Sequence, residues 1–292
     1  MRHPELRRAG RGFTLVEMVV VITIVGILAA VASAFIQRPM EAMIDAANRA
    51  SLADVADTAV RRIARDLRSA LPNSVRVTTS GSGAATRYYI EFLPTVGGGR
   101  YCAAPDSGGV CSSAAGSSAN PLSFDAVDSS FEVIGPILQP VSGTIQYVSV
   151  YNLGIPGADA WAGDTLASFS AISGGTAKTI TLAAPKQFPF ASPGNRFHLV
   201  AAPVTYECAP QSSGNSGSGT LTRYWGYALS ATQPTTFPGA SAAPLAGRVA
   251  ACSIDYGQAA IDQNGLVSLS LTLRQNGESV TLTHEVLVNN VP

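Results

Sequence analysis

From Met18 to Gln37 the chain runs without a charged residue, built largely of Val, Ile, Leu and Ala with one glycine, Gly26. As a helix, about 20 residues span about 30 Å, the thickness of a bilayer's hydrocarbon core. No polar stripe interrupts the run, so it reads as a membrane-inserted helix and not as an amphipathic one with a face for water. Ahead of it stand Arg2, Arg7, Arg8 and Arg11 against Glu5, a net formal charge of +3. The positive-inside bias then keeps the amino terminus cytoplasmic and exports everything after the helix. A secretory signal peptide fits poorly, because its apolar core is shorter and its small-residue cleavage site follows that core.

Glu17 is the odd residue at the head of this segment. A carboxylate inside a bilayer is costly, about 2.5–3.5 kcal/mol for Asp near the centre, and by default points to a functional role with a partner. Near the segment's end the cost falls, and snorkelling to the interface is the bland alternative.

The basic leader, Gly12, Phe13-Thr14-Leu15-Val16-Glu17 and the apolar helix together resemble the type III signal of type IV pilins and type II secretion pseudopilins. That signal is read by position: Gly, then Phe, then Glu as the fifth residue of the mature chain. The resemblance implies a leader, residues 1–12, removed by prepilin peptidase between Gly12 and Phe13, with N-methylation of Phe13. It also implies that an inner-membrane assembly platform moves the helix into the core of a fibre among other pilin subunits. There Glu17 of one subunit and the Phe13 ammonium of its neighbour would neutralise each other, where either alone is a costly buried charge.

The fold expected is α+β and type IV pilin-like. Residues 13–37 form the transmembrane or fibre-core helix, 38–72 its amphipathic second half, and 73–292 a β-rich exported head. In the second half Leu52, Val55, Ala59, Ile63 and Leu67 recur every three to four positions, with Arg61, Arg62, Arg65 and Arg68 between them. This stripe is the face expected to pack on the following sheet. Pro39 is a kink or local break, and Leu71-Pro72-Asn73 stops the helix.

From Val75 the hydrophobic period changes to two. Strands are expected over Val75–Thr79, Tyr88–Leu93, Phe131–Ile134, Thr144–Tyr151, Thr165–Ile172, Thr179–Leu182, Arg196–Glu207, Leu221–Ala228, Val249–Tyr256, Leu266–Arg274 and Ser279–Val288. The last two alternate cleanly across Gln275-Asn276-Gly277-Glu278, a hairpin turn. Ser80–Ala85, Gly97–Asn120, Gln211–Gly219 and Gln233–Pro244 read as Gly/Ser/Pro-rich loops.

Cys102, Cys111, Cys208 and Cys252 all lie in the exported part. An even count in an oxidising compartment suggests two disulfides. Three connectivities are possible, and Cys102–Cys111 with Cys208–Cys252 is favoured because nearby cysteines in one loop meet easily. A zinc site is the weaker rival, with no His near these cysteines.

Catalytic residues are not expected. His3 leaves with the leader, while His198 and His284 sit in strands, where a histidine is more often packed or exposed than a base. Gly214-Asn215-Ser216-Gly217-Ser218-Gly219 lacks the Lys-Ser/Thr of a phosphate loop and the spacing of a nucleophile turn, and reads as a flexible low-complexity loop. Asp262-Gln263-Asn264-Gly265 offers a few calcium oxygens but far from a full set; no metal or other cofactor is assigned, calcium being the one possibility. Trp161 and Tyr224-Trp225-Gly226-Tyr227 could make an aromatic binding surface, although core packing suits half of them. Without its leader the chain has 15 basic and 18 acidic residues, net −3, so nothing suggests nucleic-acid binding.

Later segments narrow the resemblance. Arg65 through Arg76, Glu91-Phe92-Leu93-Pro94, Gly98-Gly99-Arg100-Tyr101 and the close from Val286 to Pro292 look similar to minor pilins of the mannose-sensitive haemagglutinin (MSHA) system, the MshO type. The expectation is a non-enzymatic minor pilin. It would be held in the inner membrane of a Gram-negative bacterium by a single pass, with its head in the periplasm, and later sit in the initiating or tip complex of a fibre. The alternatives are a J-type minor pseudopilin of type II secretion and, from another class, a tip-located adhesin. A membrane-tethered hydrolase is the enzyme alternative, disfavoured by the lack of an acid-base constellation.

Overall fold

The helix α1 runs from Leu15 to Arg68, 54 residues, and continues through Pro39. The computed structural model describes residues 12–103, 111, 120–138, 144–174, 178–257 and 264–292. The chain divides into two compact units, Met1–Ala50 and Ser51–Pro292, so α1 contributes to both.

In the first unit the segment Leu15–Ser33 has a mean hydropathy of 2.7, and none of it is buried. The Thr23 hydroxyl donates to the Val20 carbonyl at 2.8 Å, so a polar group in the run is satisfied by the helix itself.

In the second unit the stripe read from the sequence is the buried one. Leu52, Ala56, Ala59, Val60, Ile63, Ala64 and Leu67 are each at most 2% exposed. They pack on one face of a seven-stranded antiparallel sheet ordered β1-β2-β9-β12-β13-β14-β15. Its strands are β1 (Arg76–Ser80), β2 (Arg87–Phe92), β9 (Val204–Ala209), β12 (Gly219–Trp225), β13 (Ser241–Gly257), β14 (Asn264–Gln275) and β15 (Glu278–Asn289). Alternate residues Val267, Leu269, Leu271 and Leu273 of β14 enter this core, as period two requires. The β14–β15 register is unbroken over twelve pairs. Asn276 and Gly277 in its turn have φ of 53° and 89°, the paired positive values that a tight hairpin demands.

Between β2 and β9 the chain builds a closed barrel ordered β3-β4-β7-β6-β5-β8. Its strands are β3 (Thr95–Tyr101), β4 (Asp128–Leu138), β5 (Tyr147–Ser149), β6 (Leu166–Ser173), β7 (Lys178–Lys186) and β8 (Arg196–Val200). A separate core fills it, with Tyr101, Phe131, Phe188 and Phe197 among its buried rings. Two readings change here. Gly97–Tyr101, expected within a loop, belongs to β3, which pairs with β8 and β4 to close the barrel. A Cβ on Gly98 would lie 2.7 Å from the Phe197 carbonyl oxygen, so glycine permits that approach of strands. The single strand expected over Arg196–Glu207 is two, β8 in the barrel and β9 in the sheet, parted by Ala201-Ala202-Pro203.

The stretch Gln211–Gly219 is also more ordered than a low-complexity loop. It folds as a small hairpin, β10 (Ser212–Ser213) with β11 (Ser216–Gly217). A Cβ on Gly217 would meet the Arg248 carbonyl oxygen, so this hairpin lies flush on the backbone of β13.

Candidate functional site

At the amino terminus Gly12, Phe13 and Thr14 precede the helix. The Glu17 backbone N–H donates to Thr14 Oγ1 at 3.2 Å, and Met18 N–H to the Thr14 carbonyl at 3.2 Å. Thr14 is therefore the N-cap of α1, and Glu17 is the third helical residue. That places the Glu17 carboxylate beside the positive end of the helix dipole. The sequence reading missed this cap, although Thr14-x-x-Glu17 is the spacing of a capping box. A consequence is that the Gly12–Phe13 peptide lies outside the helix. Phe13 is 75% exposed, and the Glu17 carboxylate has no partner among the described residues. The leader arginines fall outside the described residues.

The prokaryotic N-terminal methylation motif matches residues 7–33, which take in Gly12, Phe13, Glu17 and most of the apolar segment. Over these residues the chain is similar to the amino terminus of a prepilin. No curated protein and no solved structure matches the chain. The motif fits a type IV pilin-like or pseudopilin-like prepilin, processed by prepilin peptidase and anchored in the inner membrane by its apolar helix. The MshO subgroup finds no support in these comparisons.

In the second unit, Cys102 is bonded to Cys111, and Cys208 to Cys252. The second bridge joins β9 to β13, the strands on either side of β12. The helix end is fastened by asparagines. Asn73, with φ of 59°, donates through its amide nitrogen to the carbonyls of Asn152 at 3.0 Å and Asn290 at 3.1 Å. Asn152 in turn donates to the Pro72 carbonyl at 2.7 Å. The helix-to-sheet junction, the stretch after β5 and the carboxy-terminal segment thus meet at one point.

Beside it, Arg76 Nε donates to Glu91 Oε2 at 2.7 Å, while its remaining nitrogens donate to the carbonyls of Ser230 and Ala231. The guanidinium lies 3.7 Å from the centre of the Trp161 ring, whose Nε1 donates to the Ser74 carbonyl at 2.9 Å. Tyr227 donates to the other Glu91 oxygen at 2.7 Å. Burial pushes the Glu91 carboxyl above the usual range, while Arg76 and the Tyr227 hydroxyl oppose that rise. Burial, and then the Glu91 charge, push the Tyr227 phenol up. These groups make a satisfied, nearly buried ion pair that ties the 226–240 loop to β1 and β2.

The aromatic residues do not gather into one surface. Trp161 is buried, Tyr227 belongs to the Glu91 network, and Tyr224 stacks on Phe237 with ring centres 4.5 Å apart. Trp225 borders a cleft. His198 lies on the opposite side of β8 from Phe197 and Leu199, which enter the barrel core. Burial, and then the Arg196 charge, lower its pKa to about 4, and its Nε2 is buried without a hydrogen-bond partner among the described residues. A neutral imidazole there is part of the packing. His284 is half-buried on β15 in a groove with Asp57 and Arg61. Among the described residues no three His, Cys, Asp or Glu side chains come together as a metal cluster. Asp262 and Gln263, half of the calcium candidate, lie outside the described residues, and Asn264 and Gly265 open β14.

Proposed function

We propose that the chain is a minor pilin, a non-enzymatic structural subunit of a type IV pilus of the MSHA kind, placed in the initiating or tip complex. The observation that carries this reading is the exposed apolar segment Leu15–Ser33 within a methylation-motif match, with the Glu17 carboxylate at its head having no partner among the described residues. Apolar surface of this extent needs a bilayer or other helices around it. The helix stores the subunit in the inner membrane, and Glu17 then draws it onto the growing fibre by meeting the freed amine of a neighbour's Phe13. The disulfide-tied head selects neighbours by shape. Its inserted barrel adds bulk that a repeatedly tiled shaft subunit would have to accommodate, which favours low copy number and a tip position.

Glu17→Ala tests the mechanism. Cleavage and membrane insertion should persist while incorporation into fibres is lost, and normal incorporation of the variant would contradict it. Deleting the gene separates the roles: loss of fibres supports assembly, whereas normal fibres with lost attachment indicate an adhesin. The same motif serves type II secretion pseudopilins, and a secretion defect with intact pili on deletion would move the subunit to that system.

A further inference from the structure

Within the second unit a cleft of about 760 Å³ lies between the last turns of α1, the sheet and the start of the barrel. Arg62, Arg65 and Arg223 line it against a single carboxylate, Asp66. That carboxylate is already used. Its Oδ2 accepts from the Tyr206 hydroxyl at 2.6 Å and from Arg223 Nε at 3.2 Å, and Arg62 stands 4.0 Å away. Arg65 is exposed and has no carboxylate partner among the described residues. Part of its role is ordinary, since a cation in a helix's last turn complements the dipole. That does not account for its company. Arg62 and Arg65 are three positions apart on one helical face, and Trp225, half-buried under the Arg223 guanidinium at 5.0 Å, forms an apolar wall beside them.

We infer that this cleft docks an acidic peptide segment of another subunit, a carboxylate meeting Arg62 and Arg65 while a neighbouring apolar side chain lies against Trp225. Charge complementarity carries the choice of occupant. Three guanidiniums share the one Asp66 carboxylate, with Arg223 at 3.2 Å, Arg62 only at 4.0 Å and Arg65 not paired to it, so positive charge is in surplus here, and the wall beside it suits a side chain better than a hydrated inorganic anion. A nucleic acid is a poor fit for a head whose mature chain is net acidic. The inference rests on the subunit reading only for the identity of the partner.

The test uses the full-length chain in detergent micelles, titrated calorimetrically with a short peptide of alternating aspartate and phenylalanine and with its asparagine counterpart. The aspartate peptide should bind, weaken as salt is raised, and lose about tenfold in affinity to the Arg62→Gln, Arg65→Gln double variant. Trp225→Ala should weaken it without changing the salt dependence, and the asparagine peptide should bind far less. Equal binding of both peptides, unchanged affinity in the double variant, or no binding at millimolar peptide would overturn the inference. Displacement of the peptide by glycerol phosphate would also overturn it, reassigning the cleft to a lipid headgroup. Since binding is measured without fibres, its failure leaves the pilin reading standing, and a failed incorporation assay leaves the cleft standing.

Discussion

The two stretches of α1 have the same secondary structure and opposite surroundings. Leu28, in the first unit, is 62% exposed, while Leu67, in the second, is fully buried. Leu67 belongs to a stripe whose other side faces solvent through Arg61, Arg62, Arg65 and Arg68, and the sheet supplied by the same chain covers it. Leu28 belongs to a segment apolar all round, and nothing in its own unit covers it. The lesson is that one stretch is stabilised by its own chain, whereas the other needs an apolar environment that its own unit does not supply.

The sharpest way to break this contrast is to weaken the head alone. Removing the Cys208–Cys252 bridge by a double alanine substitution should cost about 4 kcal/mol, from the entropy of a loop of 44 residues. Near-UV circular dichroism against urea would register it, with membrane anchoring unchanged. Next comes the same substitution at two sites. Leu67→Ala should destabilise the head by about 3 kcal/mol, and Leu28→Ala should leave head stability within error while weakening membrane partition. Equal effects on head unfolding would break the comparison.

Acidity should also act on one side only. The folded pKa of His198 lies below its unfolded value, so the native head takes up its proton later than the unfolded chain does. Head stability is then fully present above pH 6.5 and declines as pH falls toward about 4, by at most about 3 kcal/mol from this group. His198→Asn should flatten that slope in urea titrations run across the same range. The smallest effect belongs to the cap. Thr14→Ala should cost the first turn of α1 about 1 kcal/mol, read as faster amide exchange at Glu17 and Met18 with the head unaffected.

Local periodicity announced much of this molecule. The apolar run, the stripe from Leu52 to Leu67 and the β14–β15 hairpin are each encoded within a few neighbouring residues. What escaped were features set by distant partners. Gly97-Gly98-Gly99 looks like a loop until β8 is placed against it, because its strand character comes from how closely Phe197 approaches. The division of Arg196–Glu207 at Pro203 depends on β8 and β9 joining different sheets, which alternation alone does not register. The Asn73–Asn152–Asn290 clasp spans more than two hundred residues of sequence. At the amino terminus, Gly12, Phe13 and Glu17, singled out by position, fall within the matched motif. Thr14 was passed over although its capping pattern is local.

The central claim is that the apolar stretch is a processed prepilin helix whose charges meet only between subunits. Intact-mass and amino-terminal peptide analysis of the chain purified from its native membrane tests that most directly. The account predicts a protein that starts at Phe13 with a methylated amine. A protein that still starts at Met1, in cells that assemble such fibres, would contradict it.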